Sequence, residues 1–464
     1  MQLAAWIGLC LAAAFLFRKR DRVPLAAVLG LWLLVPAIGS STLTGVSSGP
    51  TSVHAATWLV ASIFLVRLLH DPASIRMVLG AHFLLFLILG LVIVAAYLAT
   101  STSGNGGGMV LLVDQIVVPV LFFLLLLADA VRGGGLVVML RTVLLSLVAI
   151  ACAVAVAQWL TGNVLFYEAG FKSQYWFARD AGRWMGTLDQ PLALSLVVGV
   201  AAPLVAGLTR QWLQAGLLAL MAVGVLISQS RVGLVALAVA IVVVVLIARR
   251  PVWVKTAMLL VMAGVGAAIM VSPLVAGVAA RVADDTGSSE ARGIALEYFL
   301  SRWNDFAVAG QGIGSSYRLA VQAGLQTSFE NPTLMYGIDF GLLFAVLYFG
   351  SMAVLVFRGM RTGYPGLTLA GFMALVIPQT YSSLATRSAG GIVIWTVLAM
   401  VVIATDEARA RRASPRARVT AKAPAPAGVH AAAAPAGVHA AAAVPAPATA
   451  PALTAANLPG PGSP

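Results

Sequence analysis

Residues 137–160 read VVMLRTVLLSLVAIACAVAVAQWL, an apolar run with few polar interruptions. About 20 apolar residues in a helix are enough to cross the roughly 30 Å hydrocarbon core of a bilayer. Because backbone in lipid must satisfy its own hydrogen bonds, such a run predicts a transmembrane helix. The stretch therefore indicates an integral membrane protein.

Comparable runs recur from Gln2 to Thr405, and we expect an all-α integral membrane protein with about 12–13 transmembrane helices. With 60% hydrophobic and 10% charged residues, the composition excludes an ordinary soluble globular protein. The expected runs are Gln2–Phe17, Val23–Gly39, His54–Leu69, Met77–Thr100, Met109–Ala128, Val137–Leu160, Leu192–Leu208, Trp212–Ile227, Val232–Ala248, Val254–Val271, Leu334–Phe357, Pro365–Tyr381 and Gly390–Ala404.

Basic residues predict the orientation of these helices. The odd-numbered connections contain basic residues, as does the tail, and the positive-inside rule places them in the cytoplasm. An odd number of spans then puts the N-terminus outside and the C-terminus in the cytoplasm. We expect residues 1–405 to form the membrane domain. Residues 406–464, first basic and then rich in alanine and proline, should form a disordered cytoplasmic tail.

The even-numbered connections carry nine further Arg and Lys residues on the side where such residues are normally scarce. Two of these outer loops, residues 161–191 and 272–332, are long. The first mixes aromatic and cationic side chains, which suits either an interfacial belt or a sugar-binding surface. In the second, Ser288 or Ser289 can cap an amphipathic helix, and the GQGIGSS stretch from Gly310 is expected to be a turn.

Arg231, in the SQSRVGL turn between two apolar runs, is the single residue that most strongly indicates a functional site. A guanidinium at the membrane boundary is costly unless it is paired, so Arg231 either reaches lipid headgroups or binds an anion. The planar fork of arginine suits phosphate oxygens. The second outer loop adds four cations, which form surface ion pairs or, as a set, a diphosphate site: Arg281, Arg292, Arg302 and Arg318.

Three carboxylates occupy positions that need explanation. Glu330, followed by Asn331 and Pro332, stands at the outer boundary, where it could accept a proton from a sugar hydroxyl or act as a helix-end acid. Asp114 and Asp339 fall within apolar runs and therefore require partners inside the bundle. In a transporter, the same two residues would be coupling groups.

Read together, the motifs resemble the O-antigen ligase and polymerase superfamily of bacterial membrane glycosyltransferases. The resemblance covers about Gly182 to Gly350. It rests on GRWMGTLDQPLALSL, SQSRVGL, SSEARGIALEYFLSRW, GQGIGSSY and FENPTLMYGIDFGLLFAVLYFG, in that order. It implies the membrane glycosyltransferase fold of that family, in the bacterial cytoplasmic (inner) membrane.

The resemblance also implies an activity. Such enzymes transfer a glycan from polyprenyl diphosphate to an acceptor hydroxyl at the outer face. Carried over to this sequence, Arg231 and Arg292 hold the diphosphate, with Arg183 and Arg281 as supporting cations. Glu330 stands where the family has a histidine. Because ligases that use lipid A core usually keep that histidine, the carboxylate favours a polymerase that joins lipid-linked repeat units of a surface polysaccharide.

No cofactor, nucleotide or metal is expected, because the donor is already activated and no aspartate pair or nucleotide loop is present. The net charge of +13 is attributed to lipid headgroups rather than to nucleic acid. By family analogy, the expected partners are the lipid-linked donor, a glycan acceptor, membrane lipids, a chain-length regulator and a flippase. The alternatives are a ligase with a separate acceptor, a transporter or flippase of lipid-linked sugars, and a noncatalytic scaffold.

Overall fold

The computed structural model describes residues 1–104, 106–174, 177, 182–247, 251–270, 286–325, 328–360 and 363–420. Within these ranges all regular secondary structure is helical, which confirms the predicted all-α class. The chain divides into one compact unit, Met1–Ala413, and a second, Ser414–Pro464, of which only the first residues are described.

Helices occupy each of the predicted apolar runs. They are α1 (Gln2–Leu16), α2 (Arg22–Leu34), α3 (Ser40–Thr44), α4 (Ala55–His70), α5 (Pro72–Ala81), α6 (Phe83–Thr102), α7 (Gly108–Leu112), α8 (Val118–Ala130), α9 (Leu136–Thr161), α10 (Glu168–Lys172), α11 (Pro191–Ala201), α12 (Gln211–Ile227), α13 (Arg231–Ile247), α14 (Val252–Met270), α15 (Thr286–Arg302), α16 (Ser315–Gln322), α17 (Pro332–Phe340), α18 (Leu342–Arg358), α19 (Leu367–Val376) and α20 (Gly390–Thr420). A π-helical turn, Val113–Val117, joins α7 to α8.

Within the described ranges, four helical segments are long and apolar enough to cross a membrane: Phe83–Thr102, Gly108–Ala130, Leu136–Thr161 and Gly390–Arg412. The pair α4 and α5, bent by 101°, adds a fifth if it counts as one span. Seven further apolar helices are 10–17 residues long. These lengths support a membrane protein, and the larger span number remains a prediction.

The predicted eleventh run is a broken helix rather than a continuous one. Gly341, with a φ of 108°, separates α17 from α18. The glycine-rich stretch packs against the break, where the N–H groups of Gln311 and Gly312 donate to the carbonyls of Ile338 and Asp339 at 2.9 and 2.7 Å. A break in a helix at membrane depth is tolerated where neighbouring segments form hydrogen bonds with the freed backbone N–H and C=O groups. The stretch is thus a packed turn, as expected.

Asp339, beside this break, has a structural partner. Its carboxylate accepts a hydrogen bond from the backbone N–H of Ser316 at 2.8 Å, in the first turn of α16. A carboxylate suits the positive end of a helix. Asp339 therefore anchors α16 to the broken helix, which meets the predicted need for a partner.

One end of the bundle gathers charge from the first, third and fifth connections. The guanidinium of Arg67, which is 4% exposed, pairs with Asp21 and lies 3.4 Å from Asp129, while Arg132 also pairs with Asp21. Asp71 lies 3.5 Å from Arg132. These ion pairs hold the three connections side by side.

Two predicted boundaries differ from the structure. Helix α15 begins at Thr286, before the predicted caps Ser288 and Ser289, and buries Phe299 while leaving Leu296 exposed. Helix α20 continues beyond Thr405 to Thr420, so the first part of the expected tail is helical. Residues 421–464 lie outside the described part.

Candidate functional site

The SQSR turn is a constrained loop between α12 and α13. Gln229 adopts a φ of 52°, and Arg231 is the first residue of α13. The Tyr381 hydroxyl lies 2.5 Å from the Oγ of Ser230, and the Ser195 hydroxyl donates to Tyr381 at 3.3 Å. These contacts fix the residue that precedes Arg231, and thereby the start of the helix that carries its guanidinium.

Arg183 lies against the same turn. Its side chain is buried, and its Nε donates to the Ser228 carbonyl at 2.9 Å. The Trp184 N–H donates to the Ile227 carbonyl at 3.3 Å, so the backbone beside Arg183 is also attached to the end of α12. The structure therefore brings Arg183 to the turn that precedes Arg231, although the two are separated by the whole of α11 and α12 in sequence.

Glu330 and Arg292 form an ion pair. The Nη2 of Arg292 lies 3.3 Å from the Oε2 of Glu330, with side-chain exposures of 51% and 35%. Glu330 adopts a φ of 51°, which is unusual for a non-glycine residue. Asn331 follows as the N-cap of α17, and its side chain accepts from the N–H groups of Thr333 and Leu334 at 2.9 and 3.2 Å. The structure thus joins two candidates that sequence spacing left far apart.

A short segment links this pair to the SQSR turn. The 3₁₀ turn Ile377–Thr380 precedes Tyr381, whose hydroxyl contacts Ser230. Within that turn, the Gln379 Oε1 accepts from the hydroxyl of Thr333, two residues after Asn331, at 2.6 Å. The segment therefore touches the α17 N-terminus with one residue and the turn before Arg231 with another.

Two other described candidates have contacts within their own helices. Arg302 lies over the ring of Tyr298, on its own helix, at 5.0 Å. Arg318 donates to the Ser315 hydroxyl at 2.8 Å, within α16. Arg281 lies outside the described residues. The described contacts therefore attach Arg183 to the turn before Arg231, pair Arg292 with Glu330 and make Asn331 a helix cap, while the functional roles of these residues stay predictions.

Arg387 is a functional candidate that sequence reasoning did not single out, although it was counted among the nine outer cations. Its Nε lies 2.9 Å from an oxygen of Asp114, and its Nη2 donates to the Ser52 carbonyl at 2.7 Å. Asp114 also accepts from the His54 N–H and, at 2.8 Å, from the Thr57 hydroxyl. This ion pair supplies the partner that Asp114 was predicted to need.

A cavity of about 590 Å³ adjoins Arg387. Its wall contains the carboxylate of Asp189, which accepts from the Ala37 N–H at 2.5 Å. Burial raises the pKa of Asp189 to about 7, opposed by that hydrogen bond and by the charge of Arg387. None of the expected site residues that the structure describes lines this cavity. Asp189 stood within a motif string, but no local pattern marked it.

Metal ligands were not expected. Among the described residues, no group of three or more His, Cys, Asp or Glu side chains is arranged to hold a metal ion.

No protein-family model matches the chain, and no curated protein matches it significantly. The resemblance to the O-antigen ligase and polymerase superfamily therefore depends on the quoted motifs alone.

Proposed function

We propose that the protein is a membrane glycosyltransferase that polymerises polyprenyl-diphosphate-linked oligosaccharide repeat units. The proposed location is the outer face of the bacterial cytoplasmic membrane, with 12–13 spans, the N-terminus outside and the C-terminus in the cytoplasm. The product is a surface polysaccharide such as an O-antigen or exopolysaccharide. The observation that carries the proposal is the connection of the Glu330–Arg292 pair to the Arg183 and Arg231 turn through residues 377–381.

In the proposed reaction, an acceptor sugar hydroxyl attacks the anomeric carbon of the donor glycan. The bond from that carbon to the phosphate oxygen breaks, and polyprenyl diphosphate leaves with the bonding electrons. Negative charge develops on the leaving group, which fixed guanidinium groups stabilise. Arg231 and Arg292 have this role, and Arg183 supports the turn and adds positive charge.

Glu330 accepts the hydroxyl proton in this proposal. In the structure its carboxylate is paired with Arg292. A diphosphate that binds Arg292 would compete for the guanidinium and release the carboxylate as a proton acceptor. The exposed position of the pair supports this exchange, because a partly solvated ion pair is weak and costs little to separate. Donor binding thereby prepares the proton acceptor.

A transporter of lipid-linked sugars is less well supported. Its coupling groups would be Asp114 and Asp339, yet both carboxylates have structural partners. Asp114 is held by Arg387 and by the N-terminus of α4, and Asp339 anchors α16. A ligase that transfers glycan to a separate acceptor would use the same arginines, and it differs from the polymerase only in the acceptor.

The test is a reaction with purified, detergent-solubilised protein and a polyprenyl-diphosphate-linked repeat unit, with products resolved by size. The proposal expects a ladder of longer lipid-linked glycans that is lost in Glu330→Gln and Arg231→Ala. A donor left intact unless a second acceptor is added would favour the ligase. Vectorial movement of intact donor across proteoliposomes, without any transfer, would favour the transporter.

A further inference from the structure

The cavity beside Arg387 is built from distant parts of the chain. Its wall includes Ser41 on α3, Gln174 after α10, Asp189 before α11, Tyr317 on α16 and Arg387 before α20. Hydroxyl, amide and carboxyl groups from these segments converge on one space. The volume of about 590 Å³ lies within the roughly 300–1,000 Å³ typical of small-molecule sites. The cavity can therefore hold a polar ligand of several rings.

Its charge limits what that ligand can be. Of the wall residues that the structure describes, Asp189 and Arg387 are the charged ones, and Arg387 already neutralises the buried Asp114. The three groups together carry one negative charge when Asp189 is ionised and none when it is protonated. A phosphate or a uronate would meet no surplus cation among these described wall residues. The diphosphate is better placed near Arg183, Arg231 and Arg292, none of which lines the cavity.

Asp189 presents a carboxyl group to the cavity. Its Oδ1 accepts from the Ala37 N–H, and the backbone N–H of Asp189 itself also bonds to the carboxyl group. A carboxylate can accept about four hydrogen bonds, so acceptor positions remain for a ligand. A carboxylate in a cavity wall gains most from hydroxyl donors, because hydrogen bonds to charged acceptors are about twice as strong as neutral ones. Sugar hydroxyls are such donors, and amide groups such as that of Gln174 can complement them.

Two chain segments connect the cavity wall to the proposed reaction site. Asp189 lies shortly after Arg183, and the wall residues Ala385 and Arg387 follow Tyr381, which contacts the SQSR turn. Tyr336, on the helix that Asn331 caps, donates to the Leu384 carbonyl at 2.9 Å. The same segments that hold the arginines therefore continue into the cavity wall.

We propose that this cavity is a binding subsite for neutral saccharide, in which Asp189 accepts hydrogen bonds from sugar hydroxyls. Its role as the subsite of the acceptor glycan rests on the proposed glycosyltransferase function. Saccharide binding itself does not, because it requires only the cavity and its polar wall. The two statements can therefore fail separately.

The test is saturation-transfer difference NMR on the full-length protein in detergent at pH 8, where Asp189 is mostly ionised. The probes are neutral trisaccharides of hexose and of N-acetylhexosamine at millimolar concentration, with trigalacturonate as the acidic comparison. The variants are Asp189→Asn, which keeps an oxygen for the Ala37 N–H, and Glu168→Gln as the matched control. Glu168 is an exposed carboxylate of the same loop, paired with Lys172 at 2.7 Å, and it does not line the cavity.

The proposal expects a neutral trisaccharide to bind the wild type and Glu168→Gln, and to bind Asp189→Asn about tenfold more weakly or not at all. Unchanged binding in Asp189→Asn, preference for trigalacturonate, or no neutral binding to the wild type would each overturn it. A wild type that binds neutral saccharide but never extends a lipid-linked glycan would retain the cavity assignment and remove the glycosyltransferase function. A product ladder, together with unchanged saccharide binding in Asp189→Asn, would retain the glycosyltransferase function and remove the cavity assignment.

Discussion

Asp114 and Arg387 are 273 residues apart in sequence, and their side chains form a 2.9 Å ion pair. The pair ties the π-helical turn between α7 and α8 to the segment that enters α20. The Asp114 side chain is fully buried, whereas that of Arg387 is 25% exposed. Since Asp114 also receives the His54 N–H and the Thr57 hydroxyl, the carboxylate organises three parts of the chain.

Removal of Arg387 should destabilise the protein strongly. Arg387→Met leaves the Asp114 carboxylate without its cation, and breaking a buried pair in this way typically costs about 3–5 kcal/mol. We expect a clearly lower thermal unfolding midpoint in detergent and a smaller monodisperse fraction in size-exclusion chromatography. Arg409→Met is the control, because Arg409 and Asp406 form an exposed pair at 3.5 Å whose loss should cost about 0–1 kcal/mol.

The double variant Asp114→Asn with Arg387→Gln sharpens this prediction. Without a charge to compensate, part of the stability lost in Arg387→Met should return. An Arg387→Met variant as stable as Arg409→Met would show that water or another group compensates Asp114, contrary to the described contacts.

The positions of the helices could be predicted from sequence, because hydropathy is read along the chain and each expected run contains a helix. The break at Gly341 could not, because apolar residues continue on both sides of it and only Asp339 interrupts them nearby. The glycine-rich stretch packs against the break, and its N–H groups donate to the carbonyls of Ile338 and Asp339. This is a tertiary contact, which the local sequence does not reveal.

The candidate site likewise contains residues that the sequence identifies and contacts that only the structure shows. Arg231 and Glu330 could be named because each is a charge at the end of an apolar run. The pairing of Glu330 with Arg292, and the attachment of Arg183 to the SQSR turn, depend on packing between distant helices. Asp189 has no local signal at all, since its significance arises from a cavity wall assembled from separate segments.

Glu330 and Arg292 should be required for activity but not for folding. In Glu330→Gln the proton acceptor is lost, and we expect the rate of glycan extension to fall about 10²–10⁴-fold. Because the pair is partly exposed, either Glu330→Gln or Arg292→Ala should change stability by only about 0–1 kcal/mol. The measurement is initial extension rate beside the thermal unfolding midpoint.

The control is Glu297→Gln, which neutralises another exposed carboxylate on α15. It should extend glycan at the wild-type rate. Equal losses in Glu297→Gln and Glu330→Gln would mean that the outer surface needs negative charge in general, and not a carboxylate at residue 330.

Arg231 and Tyr381 should affect the reaction to different degrees. Arg231→Ala removes a fixed donor for the developing charge, for which losses of about 10²–10³ in kcat are typical. Tyr381→Phe removes only the hydroxyl that contacts Ser230 and Ser195, so Arg231 keeps its charge but its turn is less well held. We expect a smaller fall in kcat and a loss of about 1 kcal/mol in stability. A Tyr381→Phe variant that loses as much activity as Arg231→Ala, at unchanged stability, would instead indicate direct contact between the hydroxyl and substrate.

Asp189 should make stability depend on pH. Burial raises its pKa to about 7 in the folded protein, from about 3.9 in an unfolded chain. The folded state therefore holds this proton more tightly, and the contribution to stability is complete below about pH 4 and is lost as the pH rises through about 7. The charged groups that act on the pKa of Asp189 are Arg387, which lowers it, and Asp114, which raises it.

The side chain in Asp189→Asn cannot ionise, so its stability should not fall in this way as the pH rises. The variant should therefore gain thermal stability relative to the wild type between pH 5 and pH 8. Glu168→Gln, which removes an exposed carboxylate of the same loop, should show no such gain. A constant difference in unfolding midpoint between wild type and Asp189→Asn across this range would mean that Asp189 is ionised throughout. The cavity would then hold a permanent negative charge, and its affinity for neutral saccharide should also be independent of pH.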